Sequence, residues 1–397
     1  MIHIQASCAS EKETSLKTDR FSSRDAAHSS LQVGLIGCGG FVRGNHLPNL
    51  AKEPGFVIRA ICDLNAAVLA PLQSKYDPNY VTQDAEKLIR DPSIDLILIG
   101  TKPDARLPLI RAAVNAGKAV FVEKPLGTDW EETREILRIF RARPTPCMVG
   151  LNRPYSRIMQ EVKRIFSRHR RGPTLISYRI VCEDILWPEH HRQTLRSGQS
   201  TILHEICHIF DLLNWLTDSL PETIYAVGGR SDNNLMTLTY PNETQATIIS
   251  GGCGTEGFPK EQMEIFTNHG VIRMNEFVEL NVAQIPGEED QFFPVKFNPR
   301  GPLDGFTEAS LRKALKAARQ GLTPEQIAVG YYYDVRVWVD KGHREEIRWL
   351  RDCLLEKKPI PTNEVRGAQS VFLALKALES LKSGQVVPLD WTALMKL

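Results

Sequence analysis

The 397-residue sequence predicts an α/β domain with a doubly wound parallel sheet, followed by an α+β domain with a large open, mostly antiparallel sheet. Three observations support this fold class. Short apolar runs alternate with helical stretches over residues 31–152; the alternation then stops; and strand-like runs separated by turn signals follow. At roughly 100–200 residues per domain, a chain of this length is expected to hold two domains.

The apolar runs of the first half are short and end in Gly, Asp or Pro, which is typical of buried parallel strands. They are LQVGLIG, FVIRAICD, IDLILIG, KAVFVEKP and TPCMVGLN. The helical stretches between them are FVRGNHLPNLAKE, AAVLAPLQSKY, LPLIRAAVNAG and DWEETREILRIFRA. This alternation predicts βαβ units and a parallel sheet covered on both faces.

The second half begins with two helical stretches, YSRIMQEVKRIFSRH and TILHEICHIFDLLNWL. The strand-like runs that follow are TIYAVGG, LMTLTYP, TQATIISGGC, EQMEIFTNHGVIRM and FVELNVAQ, and the turn signals are YPNET and TNHG. They predict an open sheet with helices on one side. The last helix, GAQSVFLALKALESLKSG, is expected to end at Gly384.

The composition favours a soluble cytoplasmic protein. A formal net charge of +2 does not indicate binding to nucleic acid or membrane surfaces, and no apolar run approaches the ~20 residues of a membrane span. The eight cysteines form no C-x-x-C pair, which favours a reducing compartment. We expect a disordered extension over residues 1–30, a first domain over 31–152 and a second over 153–397.

A glycine turn follows the first predicted strand. In VGLIGCGGFVRGNH, Gly37 and Gly39 match the first two glycines of the Rossmann dinucleotide-binding motif, which permit a tight turn and close approach of a pyrophosphate. The third position, usually Gly or Ala, is Val42, so the match is weakened. Any glycine-bearing turn between a strand and a helix is the alternative interpretation.

Asp63 supports the cofactor interpretation, because it ends the second strand 63 − 42 = 21 positions beyond the motif. An acid about 20 residues on hydrogen-bonds the ribose 2′-hydroxyl of NAD. No arginine follows Asp63 directly, which favours NAD over NADP. A simple turn-initiating aspartate is the alternative.

The strand that ends in Glu123-Lys124-Pro125 sends a lysine to the carboxyl edge of the parallel sheet, where ligands bind. With this motif the chain resembles the glucose–fructose oxidoreductase, inositol dehydrogenase and MocA (Gfo/Idh/MocA) dehydrogenases over about residues 33–388. The motifs that carry the resemblance are GLIGCGGFVRGNHLPNL, AICD, IGTKPDARLPLIRAAVNAGKAVFVEKPLG, MVGLNRPYS, HEICHIFDLL, KEQMEIFTNHGVIRM and GHREEIRWLRDCL.

The stretch HEICH also spells the H-E-x-x-H signature of zinc proteases, with His204 and His208 four residues apart. No third ligand is indicated, and a zinc protease would leave the parallel-sheet half unexplained. The resemblance instead implies a substrate helix, in which Glu205, Cys207, His208 and Asp211 match a family pattern similar to G-E-x-C-H-F-x-D. We expect no metal site. Two histidines without chemistry remain an alternative.

The resemblance implies hydride transfer between a nicotinamide and the hydroxyl or keto carbon of a sugar, polyol or related ring. His208 is the candidate proton acceptor and Lys124 the group that stabilises the substrate oxygen. The expected substrate-binding residues are His204, Glu205, Asn152, Arg153 and Trp187. The expected cofactor-binding residues are Gly37, Cys38, Gly39, Gly40, Phe41, Val42, Asp63, Thr101, Lys102, Glu123 and Lys124, with NAD as cofactor and NADP possible.

Three further expectations accompany these assignments. The resemblance implies a homo-oligomer, a dimer or tetramer. A non-catalytic sensor that binds the cofactor is the alternative function, since Val42 and His204 depart from the family patterns. The basic residues Arg168, Arg170 and Arg171 are either a solvated helix end or a contact for the phosphates of a nucleotide sugar.

Overall fold

The computed structural model describes residues 30–182, 200–229, 233–254, 258–293, 295–297, 301–303 and 337–395. The expected extension over residues 1–30 therefore lies outside the described part except for Ser30. Two sheets with their covering helices form two layered units, as the sequence predicts. No helix among the described residues is both long and apolar enough to cross a bilayer.

The first unit is a six-stranded parallel sheet with the strand order β3-β2-β1-β4-β5-β6. Its strands are β1 Leu31–Ile36, β2 Phe56–Cys62, β3 Tyr80–Thr82, β4 Leu96–Ile99, β5 Ala119–Val122 and β6 Cys147–Val149. Its helices are α1 Leu47–Lys52, α2 Ala66–Tyr76, α3 Ala85–Arg90, α4 Arg106–Asn115 and α5 Trp130–Ala142. The order reverses direction between β1 and β4, where doubly wound sheets bind ligands.

Five of these strands coincide with the five apolar runs, because most of their residues are buried. Strand β3 and helix α3 were not predicted from the sequence. Strand β3 has only three residues, all half-buried, and lies at the sheet edge, so its apolar pattern is too short to recognise. Helix α3 is short as well, and Asp84 begins it by accepting hydrogen bonds from the Glu86 and Lys87 amides.

The second unit is a nine-stranded sheet with the order β14-β13-β12-β11-β7-β10-β9-β8-β18. Its strands are β7 Thr174–Val181, β8 Thr223–Gly228, β9 Asn234–Thr239, β10 Thr244–Gly251, β11 Glu261–Thr267, β12 Gly270–Asn275, β13 Glu279–Ala283, β14 Gln291–Phe292 and β18 Val387–Pro388. A separate three-stranded sheet consists of β15 Val295–Phe297, β16 Gly301–Leu303 and β17 Val337–Trp338. Only β7 and β10 pair in parallel within the large sheet, which confirms the mostly antiparallel prediction. Strand β7 was not predicted.

The helices of the second half are α6 Arg157–His169, α7 Cys207–Thr217, α8 His343–Glu356, α9 Glu364–Ser383 and α10 Thr392–Met395. Helix α9 packs against β8 and α7, and also against α5 of the first unit. It ends where predicted, with Gly384 at φ +66° donating its amide to the Ser380 carbonyl. The YPNET and TNHG turns also lie where predicted, between β9 and β10 and between β11 and β12.

Helix α8 returns to the first unit, although its sequence lies near the chain end. Its buried residues Ile347 and Leu350 share a core with Leu47 and Leu50 of α1. The loop before α8 crosses residues 152–156 so closely that Gly342, at φ +91°, has no room for a Cβ beside the Asn152 carbonyl. The chain thus connects the two units at a second place, beside the candidate site.

Candidate active site

The glycine turn after β1 leaves open space at the switch point of the parallel sheet. Gly37 adopts φ +86°, and a Cβ there would lie 2.8 Å from the Thr101 amide nitrogen, so only glycine fits. By contrast, Cβ atoms placed on Gly39 and Gly40 would meet no atom within 4 Å. The backbone of the turn is therefore accessible in the way that a dinucleotide pyrophosphate requires.

Val42 occupies the third motif position without blocking the turn. Its side chain is buried against Gly100, where a Cβ would overlap the Val42 Cγ2 atom. The close packing that the third glycine normally allows is thus provided by a glycine at the end of β4 instead. This complementarity explains how the weakened motif keeps its geometry.

Asp63 connects the glycine turn to the loop after β2. Its Oδ2 accepts a hydrogen bond from the Cys38 amide (2.7 Å), and its Oδ1 accepts one from the Asn65 amide (2.9 Å). The turn-initiating interpretation therefore holds, and the same carboxylate also borders the predicted ribose site. Burial, together with Asp63, raises the pKa of the Cys38 thiol to about 12, so Cys38 lines the turn as a neutral thiol.

A buried arginine holds the loop after β5 in place. Arg106 of α4 donates to the carbonyls of Glu123 and Pro125 and to the Thr101 carbonyl (2.8 Å). One side chain thereby ties the Glu-Lys-Pro loop to the loop after β4. Burial lowers the pKa of Arg106 to about 10, which still leaves it charged at neutral pH. Lys102, next to Thr101, is exposed.

Glu123 is held by His46, a residue that the sequence analysis did not single out. The His46 Nε2 atom lies 2.5 Å from Glu123 Oε1, and both side chains are buried. Burial favours the neutral acid, but the hydrogen bond and charges of His46, Lys124 and Arg106 lower the pKa of Glu123 on balance. The other oxygen of Glu123 accepts the Lys124 amide at 3.2 Å. The pair fixes the backbone at Lys124.

Lys124 reaches from the first unit to the helix of the second. Its Nζ donates to the His204 carbonyl (2.7 Å) and lies 3.8 Å from Glu205 Oε2. The helix begins here with a π-helical turn, Ile202–Ile206, before α7 starts at Cys207. Such turns are frequent at functional sites, because they displace backbone groups from regular pairing.

Glu205 and Arg153 belong to a group of paired charges that we call the charge cluster: Lys124, Arg153, Glu205, Lys260, Glu261 and Lys341. Arg153 donates to Glu261 (2.9 and 3.2 Å) and to Glu205 Oε1 (3.1 Å). Glu261 is fully buried and also accepts from Lys341 (2.5 Å) and Tyr178 (2.6 Å). Four cations thus share two carboxylates.

These contacts keep both carboxylates ionised. Burial alone would raise the pKa of Glu205, but Lys260, Arg153 and Lys124 bring it well below its usual value. Burial likewise opposes ionisation of Glu261, and Arg153 and Lys341 outweigh it. Arg153 is therefore a buried ion-pairing residue rather than an exposed salt bridge between domains.

His208 lies on α7 one turn beyond Glu205 and is buried, with 5% of its surface exposed. Its Nδ1 atom has no hydrogen-bond partner among the described residues. Burial first, and then the charges of Arg153 and Lys124, lower the pKa of His208 well below 6.5. The imidazole is therefore neutral at pH 7 and free to accept a proton.

Asp211, which completes the family pattern on α7, makes a structural contact. It pairs in bidentate fashion with Arg366 of α9 at 2.8 and 2.7 Å. Asn152 is also committed to structure: its buried amide donates to the Lys341 carbonyl (2.7 Å) and lies 3.0 Å from His343 Nδ1. Phe41 is half exposed and packs on the rings of His46 and His343. Trp187 lies outside the described residues.

The basic residues at the end of α6 lie away from the site. Helix α6 starts beside Arg153 and runs for 13 residues, about 20 Å, before it reaches them. Arg170 donates there to the Asn242 carbonyl and to Thr244 (3.2 Å), and Arg171 donates to helix-end carbonyls. The structure thus favours the solvated helix end over a phosphate contact at the site.

Lys260, Glu261, Lys341 and His46 were not predicted from the sequence as site residues. Lys260 and Glu261 stand in KEQMEIF and Lys341 precedes the glycine of GHREE, so each lay in or beside a motif that was recognised as a whole. In the part of the chain that the structure describes, no three His, Cys, Asp or Glu residues are placed to hold a metal ion. Glu205 of HEICH pairs with cations instead.

Comparison with known proteins agrees with this geometry. Residues 31–151 match the sequence model described as "Oxidoreductase family, NAD-binding Rossmann fold" of the Gfo/Idh/MocA type. The oxidoreductase YrbE of Bacillus subtilis is 27% identical over 251 residues, which cover 60% of this chain and 72% of that protein. Inositol 2-dehydrogenase of Salmonella paratyphi B is 25% identical over 229 residues, which cover 56% of this chain and 65% of that enzyme.

The structural comparison extends over nearly the whole chain. The crystal structure of scyllo-inositol dehydrogenase from Lactobacillus casei, with bound NAD(H) and scyllo-inositol, superposes with a TM-score of 0.68 at 18% identity. The match covers 90% of this chain and 99% of that one. It confirms the predicted fold of both units.

Proposed function

Residues 31–151 match the NAD-binding Gfo/Idh/MocA oxidoreductase model, and from this similarity we propose that the chain is an oxidoreductase of this type, which transfers hydride between NAD and a hydroxyl-bearing ring carbon of a polyol or sugar. The observation that carries the proposal is the contact between Lys124 of the first unit and the His204 carbonyl of the second. It brings a cation, two carboxylates and a buried neutral imidazole to the edge of the sheet where the glycine turn opens.

The residues present fit NAD. The open backbone at Gly39 and Gly40 suits the pyrophosphate, and Asp63 stands where a ribose hydroxyl would donate to it. Thr101, Lys102 and Glu123 lie on the neighbouring loops at the same sheet edge, and Phe41 follows the turn directly. When bound, NAD supplies the hydride acceptor.

The protein side of the reaction is a proton transfer beside a fixed positive charge. Lys124 uses one of its three donors on His204, which leaves two for a substrate oxygen. Its charge stabilises the alkoxide that develops as hydride leaves. His208, kept neutral by burial and the surrounding cations, accepts the hydroxyl proton.

The test is NADH formation on mixing the purified chain with NAD and a panel of inositols and hexoses. Lys124→Ala is expected to reduce turnover by on the order of 1000-fold while NAD binding is retained, because the lysine acts on the substrate oxygen. Lys358→Ala, which removes an exposed lysine just beyond the end of α8, is the matched control. NAD binding without turnover on any substrate would favour the sensor alternative.

We also propose that the chain forms a homo-oligomer through the outer face of the nine-stranded sheet. The face opposite the helices exposes apolar side chains on adjoining strands: Leu175, Tyr225, Val227, Leu235, Ile249 and Phe266. Such a patch is larger than isolated surface residues and marks an interaction site. Light scattering should give a mass of at least twice 44.7 kDa, and Leu235→Glu with Phe266→Glu should lower it.

A further inference from the structure

Glu205 presents its two carboxylate oxygens to different surroundings. Oε1 is engaged by two cations, Arg153 at 3.1 Å and Lys260 at 3.5 Å. Among the described residues, Oε2 has one cationic neighbour, Lys124, at 3.8 Å, which is beyond hydrogen-bond length. The side chain as a whole is 30% exposed, which leaves part of the carboxylate group open to a ligand.

The carboxylate is also rigidly oriented. Arg153 is itself clamped by two hydrogen bonds to the buried Glu261, so the donor that positions Oε1 cannot move freely. The cations keep Glu205 ionised at neutral pH. An ionised carboxylate oxygen that is fixed in orientation and has no cation within hydrogen-bond length is a strong acceptor for a hydroxyl donor.

We propose that Glu205 determines specificity by accepting a hydrogen bond from the substrate hydroxyl adjacent to the one that is oxidised. The protein would then select vicinal diols within the polyol and sugar class, and this inference rests on the function proposed above. Because Lys124 Nζ and Glu205 Oε2 are 3.8 Å apart, two hydroxyl oxygens that each lie about 2.8 Å from one of these atoms can be as close as about 3 Å to each other. Oxygens on neighbouring ring carbons have this spacing.

The proposed hydrogen bond is tested by removing the substrate hydroxyl, the Glu205 carboxylate, or both. For a parent substrate from the panel, such as myo-inositol or glucose, kcat/KM is measured together with that of the monodeoxy analogue that lacks the adjacent hydroxyl. The wild-type chain should prefer the parent by on the order of 100-fold or more, because the analogue leaves a charged acceptor unpaired. In Glu205→Ala that preference should fall to about tenfold or less.

The variant is expected to fold, because Arg153 keeps both hydrogen bonds to Glu261 when Glu205 is shortened. If thermal unfolding shows otherwise, Glu205→Gln retains the shape and is carried through the same comparison. Glu264→Ala, which removes a carboxylate from the outward side of β11, is the matched control and should leave the preference unchanged.

An equal loss of kcat/KM on parent and deoxy analogue would overturn the inference, because it would show that Glu205 acts only by holding Lys124 and Arg153 in place. Absence of NADH with every parent substrate in the wild-type chain is a different result. It would refute the proposed function itself, and the inference with it.

Discussion

Val42 packs so closely against Gly100 that residue 100 has no room for a side chain: the Val42 Cγ2 atom occupies the space that a Cβ on residue 100 would need. The contact joins the helix after the glycine turn to the end of β4, directly below the predicted cofactor site. A departure from the dinucleotide motif at one position is thus compensated 58 positions later (100 − 42).

This packing predicts a strong coupling between the two positions. Gly100→Ala should lower the free energy of unfolding by about 2–3 kcal/mol through overpacking. Val42→Ala in the same chain should restore more than about 1 kcal/mol, because it vacates the overlapping volume. Recovery should be incomplete, since the new Cβ still lies 3.0 Å from the Gly37 carbonyl. Urea unfolding of the four proteins measures the coupling, and strictly additive effects would contradict it.

The features that were predicted from the sequence are those that depend on local interactions. The five buried strands and the Gly384 cap depend on residues that are neighbours in the chain, and each was predicted. The glycine turn was also predictable, from the glycine spacing and from the distance along the chain to Asp63. What could not be predicted is pairing over long separations: Lys341 meets Glu261 across 80 positions, and Lys124 meets His204 across 80.

A charge on one strand does not identify its partner when many opposite charges are available. The chain holds 49 Lys and Arg residues and 47 Asp and Glu residues, so composition cannot single out the charge cluster. The position of His46 is a similar case. It becomes meaningful only when the sheet brings its helix beside the end of β5, where Glu123 accepts its hydrogen bond.

Glu53 should be a major stabilising carboxylate between the first unit and α8. Its nearly covered side chain is contacted by Arg348 (2.8 Å), Arg351 (2.9 Å) and Arg344 (3.1 Å). Glu53→Gln is expected to cost about 1–3 kcal/mol at pH 7, because three cations lose their shared anion. Glu345→Gln, which removes a more exposed partner of Arg348, is the control and should cost under about 1 kcal/mol.

The effect of Glu53 should depend on pH in a defined direction. Burial opposes its ionisation, but the arginines lower the pKa below 4.5. The stabilisation is therefore complete above pH 4.5 and is lost as the pH falls through the folded-state pKa. Chemical unfolding at a series of pH values should show the gap between wild type and Glu53→Gln closing in acid. A gap that stays constant would contradict the assignment.

His343 should make the free energy of unfolding depend on pH in a second, less acidic range. Burial first, and the neighbouring His46 next, lower the pKa of His343 from 6.5 to about 3. Between these values the unfolded chain takes up a proton that the folded chain does not, so stability falls as the pH falls. The slope from this group is about 1.4 kcal/mol per pH unit. His343→Asn should lose that slope, whereas the exposed control His269→Asn should retain it.

Asp211 should contribute to stability rather than to the chemical step. Asp211→Asn would leave the buried side of Arg366 without its anion and should cost about 3 kcal/mol. Turnover per folded molecule should remain within about tenfold of wild type, since the carboxylate contacts neither Lys124 nor His208 in the structure. Loss of turnover on the scale of Lys124→Ala would contradict this assignment.

Replacement of Gly342, in the loop that connects the units, should strongly lower the free energy of unfolding. It adopts φ +91°, and a Cβ would overlap the Asn152 carbonyl oxygen and lie 2.5 Å from the Ser156 amide nitrogen. These are backbone atoms, so no side-chain rotation relieves the contact. Gly342→Ala is expected to cost more than about 3 kcal/mol, because conformational strain and overpacking act together.

Gly384→Ala separates the two contributions. Gly384 also has a positive φ, +66°, but a Cβ there would meet nothing within 4 Å. Its replacement should therefore cost only the conformational part, about 1 kcal/mol. Urea unfolding of both variants gives the difference directly. Equal losses would show that the loop at 342 can move away from residues 152–156, and that α8 is not held beside the charge cluster by this contact.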